Sequence, residues 1–338
     1  MVAGFDVVSS NPSPRISVCM ITYNHARFIK QAIESVLMQK AVFPYELVIG
    51  EDCSTDGTRE IVIGFQQQNP ERIRLLLPEL NLGMNANFIR TLQACRGQYV
   101  ALIEGDDYWT SIYKLQKQAE FLDTHSDCSF CFHTVHVVLD TEDQAPRLVA
   151  PRVSKEVFTL EDLLVSNFIQ TASVMFRNRP AAEFLQRFEG IRMMDWQLHI
   201  FNAQFGKIGF INESMGVYRL HAGGAWSPKD LVWQNLESVR VLEEVNAQLD
   251  YRYDRVIKRS ISLYHLRLAL VWAGMGYAAR AKSYARTCTA ESWRHAKLPA
   301  TSLVVMWLAV CFCGLSRLIL SVKAFSTFAR RILLLGLL

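Results

Sequence analysis

The sequence predicts an α/β fold, in which a doubly wound, mostly parallel sheet is flanked by helices and followed by an all-helical C-terminal region. Three observations predict it. Short continuous apolar runs alternate with helical patterns at regular spacing over the first third of the chain, as in sheets built from strand–helix–strand units. Polar clusters directly follow several of these runs. Over about residues 229–290, apolar residues recur at helical spacing.

Buried strands are predicted where apolar residues run without a break, as in parallel sheets that are covered on both faces. Four such strands occupy the first part of the chain: Ile16–Ile21, Tyr45–Gly50, Ile73–Leu77 and Tyr99–Ile103. The segments between them predict helices at about 26–39, from a cap at Thr55 or Asp56 to about 67, and at about 86–94.

The middle of the chain continues this alternation. Its patterns predict helices at Lys114–Asp123 and Leu160–Val165, and strands at Ser129–Leu139, Thr171–Phe176 and Gly206–Asn212. Residues 140–156 are polar and contain proline, so we predict a loop there. The later pattern predicts a helix at Leu231–Leu249 and two helices within Ser260–Ala290, joined near Gly274 or Gly276.

Three polar clusters stand at the ends of predicted strands: Thr22–Asn24, Glu51–Asp56 and Glu104–Asp107. Sheets of this kind bind ligands beyond the carboxyl ends of their strands. We therefore expect the three clusters to lie at one ligand-binding edge.

The acidic turn Glu104–Asp107 (EGDD) is the most informative of these clusters. Side chains two residues apart leave an extended chain on the same side, so Glu104 and Asp106 can converge on one point. Gly105 between them lets a ligand approach the backbone. Paired carboxylate oxygens suit Mg²⁺ or Mn²⁺, especially where phosphates supply the remaining ligands. The alternative interpretation is an acidic turn that caps the next helix.

Other common nucleotide and metal sites are not predicted. The turn after the first strand, TYNHARF, has no glycine, which argues against a dinucleotide-binding dehydrogenase, and the chain contains no P-loop motif. A nucleotide would therefore be held by side chains and a metal ion. The cysteines are scattered, and Cys128 and Cys131 stand in an apolar strand-like run without a second pair, which disfavours a zinc or redox site.

Four motifs in order resemble glycosyltransferase family 2 over roughly residues 14–225: ISVCMITYN at Ile16–Asn24, VIGEDCSTDGT at Val48–Thr58, NLGMN at Asn81–Asn85, and the segment Val100–Trp109. The resemblance implies a GT-A nucleotide-sugar domain. In such a domain the donor site would be formed by the residues at the motif positions: Thr22, Tyr23, Asn24, Asp52, Asn85, Glu104 and Gly105.

The resemblance also implies particular roles. Asp52 would accept a hydrogen bond from the N3–H of uracil or thymine, a donor that cytosine lacks. Glu104-x-Asp106 stands where the family has its D-x-D metal motif. Glutamate in place of the first aspartate is a departure, which puts the metal role chiefly on Asp106.

Asp195 is the candidate catalytic base. It lies in an apolar segment beside Trp196, where the pKa of a carboxylate tends to rise, which suits a general base. A helix N-cap is the alternative interpretation. Family members place their catalytic aspartate in a comparable segment. The Tyr218-Arg219-x-His221 end of the domain also resembles the family, which implies that His221 can reach the metal or the diphosphate. Arg219 can pair with phosphate or carboxylate, and we assign it to the donor site.

These features predict an inverting glycosyltransferase that moves a sugar from a UDP- or dTDP-sugar donor to a saccharide or lipid-linked saccharide acceptor. Mg²⁺ or Mn²⁺ is the expected cofactor. The family resemblance makes cell-envelope, capsule or antigen polysaccharide a plausible destination. The alternative is a non-catalytic nucleotide-sugar-binding module of a polysaccharide assembly complex, which the altered metal motif favours.

The predicted organisation is a polar leader at 1–14, the GT-A domain at 15–225, a helical region at 226–296 and a basic, apolar tail at 297–338. Residues 252–338 carry 14 Lys/Arg and 2 Asp/Glu, whereas the rest of the chain is net acidic. Leu298–Ser316 is uncharged and barely long enough for a membrane span. We predict that the tail binds an anionic membrane surface, with a buried hairpin in an oligomer as the alternative. Nucleic acid fits poorly.

The first residues, MVAGFDVVSSNPSPR, have no basic start and no long apolar core, so a signal peptide is not predicted. The expected location is the cytoplasmic face of the membrane.

Overall fold

The computed structural model describes residues 13–140, 145–151, 155–179, 194–224, 226, 229–292 and 300–311. Its strands are β1 Ile16–Thr22, β2 Tyr45–Glu51, β3 Ile73–Leu76, β4 Tyr99–Glu104, β5 Tyr108–Trp109, β6 Cys128–Leu139, β7 Arg147–Val149, β8 Val157–Phe158, β9 Met175–Arg177 and β10 Lys207–Leu220. Its helices are α1 Ile29–Leu37, α2 Thr58–Gln68, α3 Met84–Ala94, α4 Lys114–Thr124, α5 Leu160–Val165, α6 Met194–Ala203, α7 Leu231–Gln248, α8 Asp254–Gly274, α9 Ala278–Glu291 and α10 Ala300–Cys311.

The strands form one mixed, mostly parallel sheet in the order β3-β2-β1-β4-β9-β6-β10-β5, with β7 beside β6 and β8 beside β10. Strands β3, β2, β1 and β4 are parallel. Strand β9 is antiparallel to both β4 and β6, and β10 is parallel to β6. The predicted α/β fold with a helical C-terminal region is confirmed. Because the chain runs outward from β1 to β3 and returns to β4, the strand order switches beside the carboxyl ends of β1 and β4.

The parallel half of the sheet is buried on both faces, as its continuous apolar runs predict. Val18 and Met20 of β1 pack on the face that α1 covers, whereas Cys19 of β1 packs on the face that α3 covers, with Phe88 and Leu92. Successive strand side chains point to opposite faces, so one apolar run supplies both layers of the core. This packing on both faces holds in place the strand ends that carry the polar clusters.

The second half of the sheet differs from the sequence prediction, which also lacks the two-residue strands β5 and β8. Strand β10 continues eight residues past the predicted end at Asn212, because register shifts near Ser214 interrupt the alternation by which a strand is recognised. The start of the predicted strand Thr171–Phe176 is instead a 3₁₀ turn, where the Ser173 hydroxyl donates to the carbonyl of Gln170 at 2.6 Å. The predicted loop at 140–156 contains the short edge strand β7.

The C-terminal helices pack directly on the sheet domain. Leu242 of α7 and Ile257 of α8 lie in the same apolar core as Trp196 of α6 and Val174. The break predicted near Gly274 or Gly276 falls between the end of α8 and the start of α9, and Gly276 has a φ of 81°, which favours glycine. The predicted domain boundaries remain predictions.

Part of the predicted tail has a structural role. Met306 and Val310 of α10 are buried against α8 and α9, and the Trp307 indole donates to the Thr289 hydroxyl at 3.1 Å. Within the described residues, no helix has the length and apolar character required to cross a membrane. The rest of the predicted tail lies outside the described residues.

Candidate active site

The predicted polar clusters do meet at one edge of the sheet. The residues that follow β1 and β2 are joined by hydrogen bonds, and the residues that follow β4 contact the end of β10. Backbone pairing explains this, because β1 lies between β2 and β4 in matched parallel register. Thr22 is thereby aligned with Glu51, and Ile21 with Glu104.

The acidic turn after β4 brings carboxylates close together. Ligand oxygens of Glu104, Asp106 and Asp107 lie within 4.8 Å of one another. Burial, and then the nearby charges of Asp106 and Asp195, raise the pKa of Glu104 to about 8. Burial, Asp106 and Glu104 also raise the pKa of Asp107, although its carboxylate accepts the backbone N–H of Arg219 at 2.9 Å. This concentration of negative potential attracts a cation.

Asp106 differs from its acidic neighbours because two histidines face it. His221 Nε2 lies 2.9 Å from Asp106 Oδ2, and His25 Nε2 lies 3.7 Å from the same oxygen. Burial works against ionisation of Asp106, but the hydrogen bond from His221 and the charges of both histidines outweigh it and lower the pKa of Asp106. Asp106 is therefore the carboxylate most readily available as an anionic ligand.

These residues fit a divalent metal ion. Asp106 Oδ1 is buried and has no hydrogen-bond partner within the described part of the chain. The nitrogens of His25 and His221 and an oxygen of Asp106 lie within 4.8 Å of one another. Carboxylate oxygen and neutral imidazole are both common ligands of divalent ions.

The loop after β1 is tied to the loop after β2. Asn24 has a φ of 55°, and its amide oxygen accepts the N–H of Thr55 at 2.9 Å. The Asn24 N–H in turn donates to the Ser54 hydroxyl at 2.9 Å. Thr22 is buried, while Tyr23 is 44% exposed. The predicted nucleotide-cradling segment is thus a fixed loop that presents Tyr23 to solvent at the sheet edge.

Asp52 is buried and shapes the adjacent loop. Its two carboxylate oxygens accept the backbone N–H groups of Leu82 and Gly83 at 2.8 and 2.9 Å, and its carbonyl accepts from the Asn81 amide at 2.8 Å. Each carboxylate oxygen keeps a second lone pair for another donor. Asn85 follows in the first turn of α3, and its amide oxygen is buried without a partner in the described residues.

Gly105 stands where a larger side chain would collide with the residues at the end of β1. A Cβ on Gly105 would lie 2.5 Å from the Thr22 hydroxyl oxygen and 2.9 Å from His25 Nδ1. Thr22 and His25 thus fill the space on this side of Gly105, and the approach of a ligand to its backbone remains a prediction. The glycine lets the acidic turn pack against the end of β1.

Arg219 is engaged by protein groups. Its guanidinium donates to the carbonyl of Asp106 at 2.6 Å and to the side chain of Gln31, and it lies 4.4 Å from the centre of the Tyr108 ring. In this arrangement Arg219 holds the acidic turn in place. The phosphate contact expected for Arg219 is not tested by these contacts and remains a prediction.

Asp195 is the second residue of α6, so it stands inside the first helical turn. Asn167 donates to its carboxylate at 3.2 Å. Burial raises the pKa of Asp195, although hydrogen bonds from Trp196 and Asn167 partly oppose the rise. Asp195 also raises the pKa of Glu104, so the two carboxyl groups are close enough to interact electrostatically.

Sequence reasoning assigned no individual role to three residues of this site: His25, Asp107 and Tyr218. His25 directly follows Thr22–Asn24 (the TYN segment), and Asp107 ends the acidic turn. Their positions next to predicted site residues could have indicated that they belong to the site. Burial and the charges of Glu104 and the other site carboxylates raise the pKa of Tyr218. Tyr218 stands in the Tyr218-Arg219-x-His221 motif, but the motif did not indicate a role for the tyrosine itself.

Comparison with known proteins identifies the family. A family model described as Glycosyl transferase family 2 matches residues 17–185. The chain belongs to glycosyltransferase family 2. The match includes the TYN segment, Asp52 and the whole acidic turn, while Asp195, Arg219 and His221 lie beyond its end.

Relatives of this family 2 chain include an uncharacterised protein of Mycobacterium tuberculosis, 39% identical over 212 residues that make up 62% of this chain and 60% of that protein. The chain is also similar to TuaG of Bacillus subtilis, named as a teichuronic acid biosynthesis glycosyltransferase: they are 28% identical over 262 residues, which cover 74% of this chain and 99% of TuaG.

Two solved structures share the fold of this family 2 chain. One is S. aureus TarS 1–349 in complex with UDP-GlcNAc, with a TM-score of 0.52 and 18% identity over 83% of this chain and 91% of that one. The other is the mannosyltransferase PcManGT of Pyrobaculum calidifontis in complex with GDP-Man and Mn²⁺, with a TM-score of 0.52 and 16% identity over 95% and 87% of the two chains.

Proposed function

We propose that this chain is a metal-dependent, inverting glycosyltransferase that transfers a sugar from a UDP- or dTDP-sugar to an acceptor hydroxyl. The observation that carries the proposal is the acidic turn after β4, where His221 Nε2 lies 2.9 Å from Asp106 Oδ2 and Asp195 is close enough to raise the pKa of Glu104. A binding module would need the donor-facing residues but no further carboxylate near the metal site such as Asp195, whose pKa is raised by burial.

Asp106 and His221 would hold the divalent ion, which would neutralise the diphosphate and stabilise it as a leaving group. The TYN segment and Asp52 would orient the nucleotide so that the anomeric carbon faces Asp195. Asp195 would accept the proton of the acceptor hydroxyl as that oxygen attacks the face opposite the diphosphate. A single displacement of this kind inverts the anomeric configuration.

The experiment that tests the proposal is release of nucleoside diphosphate from a panel of nucleotide sugars, with Mn²⁺ present or chelated. We expect Mn²⁺-dependent release from at least one UDP- or dTDP-sugar. If the protein binds such a donor tightly but releases no nucleotide with any acceptor saccharide, the non-catalytic binding module becomes the better account.

Asp52 leads to a prediction about the base. We expect UDP to bind more tightly than CDP, and Asp52→Ala to reduce this preference, because a hydrogen bond to a charged group contributes roughly 1.5–3 kcal/mol. Calorimetric titration of the two nucleotides measures the ratio of their dissociation constants.

The control for this prediction is Asn81→Ala. Asn81 supports the same loop by donating to the Asp52 carbonyl at 2.8 Å, but its loss leaves the Asp52 carboxylate in place. The control should therefore weaken both nucleotides alike. An unchanged UDP-to-CDP ratio in Asp52→Ala would exclude the proposed base contact.

The acceptor and the location are further parts of the proposal. TuaG is named for teichuronic acid biosynthesis, and this relationship supports a cell-envelope saccharide or lipid-linked saccharide as the acceptor. A membrane-bound acceptor is best reached by an enzyme held at the cytoplasmic face, which the excess of Lys and Arg after residue 252 favours.

We predict that removal of residues 312–338 abolishes binding to anionic vesicles and leaves donor hydrolysis intact. The deleted segment contains Arg317, Lys323, Arg330 and Arg331 and no acidic residue, and each nearby cation contributes about 1 kcal/mol to binding an anionic surface. The cut follows α10, whose contacts with α8 and α9 are kept. Vesicle sedimentation measures binding, with neutral phosphatidylcholine vesicles as the control. Full-length protein that stays in the supernatant with both vesicle types would refute the membrane role.

A further inference from the structure

We propose that His25 is a third protein ligand of the divalent ion. With Asp106 and His221 it forms a set of two imidazoles and one carboxylate, which favours a first-row transition ion such as Mn²⁺ over Mg²⁺. The inference rests on the metal site of the proposed function and deepens it by adding a ligand and a class of ion.

The distances support this ligand set. The Nε2 atoms of His25 and His221 lie 3.7 and 2.9 Å from Asp106 Oδ2. Ligand atoms about 2.1 Å from one ion, at adjacent positions of an octahedron, are roughly 3 Å apart. The two imidazole rings are nearly perpendicular, with centroids 6.1 Å apart, so both can direct a nitrogen toward the same point.

The surroundings of His25 hold its ring in the orientation that a ligand needs. Its Nδ1 lies 3.3 Å from the Thr22 hydroxyl oxygen, which leaves Nε2 to face Asp106. Its backbone N–H donates to the Thr58 hydroxyl at 2.8 Å. Metal-binding histidines typically have such a partner on the second ring nitrogen, because it fixes the tautomer and the ring orientation. The missing Cβ of Gly105 leaves the space for this arrangement.

A hydrogen-bonding role alone explains less. Both histidines face Asp106 Oδ2. If they served only to neutralise the carboxylate, we would expect another protein group to donate a hydrogen bond to Oδ1. Yet Asp106 Oδ1 is buried and has no partner in the described part of the chain. The side chains of His25 and Asp106 are only 17% and 14% exposed, so water satisfies these groups incompletely.

The ligand set determines which ion is preferred. Mg²⁺ takes oxygen ligands, keeps several waters and demands near-ideal octahedral geometry. Imidazole nitrogens bind first-row transition ions more strongly than they bind Mg²⁺. A second histidine should therefore raise affinity for Mn²⁺ much more than affinity for Mg²⁺.

The test is electron–nuclear double resonance of Mn²⁺ bound to the full chain labelled with ¹⁵N-histidine, without donor. We expect two coordinated histidine nitrogens in the wild type and one in either His25→Gln or His221→Gln. A single nitrogen in the wild type that persists in His25→Gln and disappears in His221→Gln would overturn the inference. The His221→Gln arm decides the question even if His25→Gln does not fold.

Metal titrations give an independent readout. We expect His25→Gln to raise the Mn²⁺ dissociation constant by about tenfold or more and the Mg²⁺ constant by much less. His125→Gln is the matched control, because His125 is exposed and stacks on Phe121 at the end of α4. An equal loss of affinity for Mn²⁺ and Mg²⁺ in His25→Gln would argue against direct coordination of the ion by His25. Neither measurement uses turnover, so failure of the proposed transferase activity would be recognised separately.

Discussion

Replacement of Asp195 by asparagine should lower the rate of sugar transfer by roughly 10²–10⁴-fold, the usual contribution of a general base. Asparagine keeps the shape of the side chain and can still hydrogen-bond to Asn167, but it cannot accept the acceptor proton. Because Asp195 is proposed to act on the acceptor, the dissociation constant of the nucleotide should change little. Initial rates at saturating donor and a calorimetric titration with UDP measure the two quantities.

The matched control is Asp127→Asn, since Asp127 is exposed and pairs with Lys207 away from the site. This variant should transfer sugar at the wild-type rate.

Because burial raises the pKa of Asp195 and a base acts only when ionised, wild-type turnover should fall as the pH falls through that raised pKa. An Asp195→Asn enzyme with wild-type turnover would exclude Asp195 as the base.

The second large effect is expected at the metal site. Chelation of the divalent ion, or Asp106→Asn, should each reduce donor turnover by roughly 10²–10⁴-fold, because a bound ion contributes several kcal/mol of charge stabilisation and about 1.4 kcal/mol corresponds to a factor of ten. Dialysis against EDTA followed by addition of Mn²⁺ should restore the wild type. The Asp106→Asn variant should stay inactive at the same Mn²⁺ concentration.

Chelation tests whether the reaction needs a metal ion, and Asp106→Asn tests whether Asp106 holds that ion. Loss of activity on chelation together with full activity of Asp106→Asn would mean that the ion binds elsewhere. Full activity of the chelated wild type would remove metal dependence from the mechanism.

The fold was predictable where local pattern and packing agree. The strands β1, β2 and β4 are buried on both faces, so their apolar runs are unbroken and their ends could be placed to within a residue or two. Strand β10 was truncated in the prediction because its bulges near Ser214 are set by pairing with β6, which is distant in sequence. Helix α10 was assigned to a tail because its burial depends on α8 and α9, not on its own composition.

The site was predictable in its residue types but not in their partners. The sequence placed Asp52, Asp106 and His221 at candidate positions. It could not reveal that Asp52 anchors residues 82 and 83, that Gly105 makes room for Thr22 and His25, or that Arg219 holds the acidic turn. Each of these contacts joins segments separated by tens of residues or more, and therefore depends on the strand order of the folded sheet.

The central claim is inverting transfer from a nucleotide sugar at the site proposed to comprise Asp106, His221 and Asp195. The most direct test is proton NMR of the reaction in the presence of Mn²⁺, with an α-linked UDP- or dTDP-sugar that the donor panel identifies as a substrate. The anomeric proton of the donor should disappear as a β-configured product appears first, and Asp195→Asn should suppress this product. A first-formed product with retained α configuration, or a donor signal that never declines with any acceptor, would contradict the account.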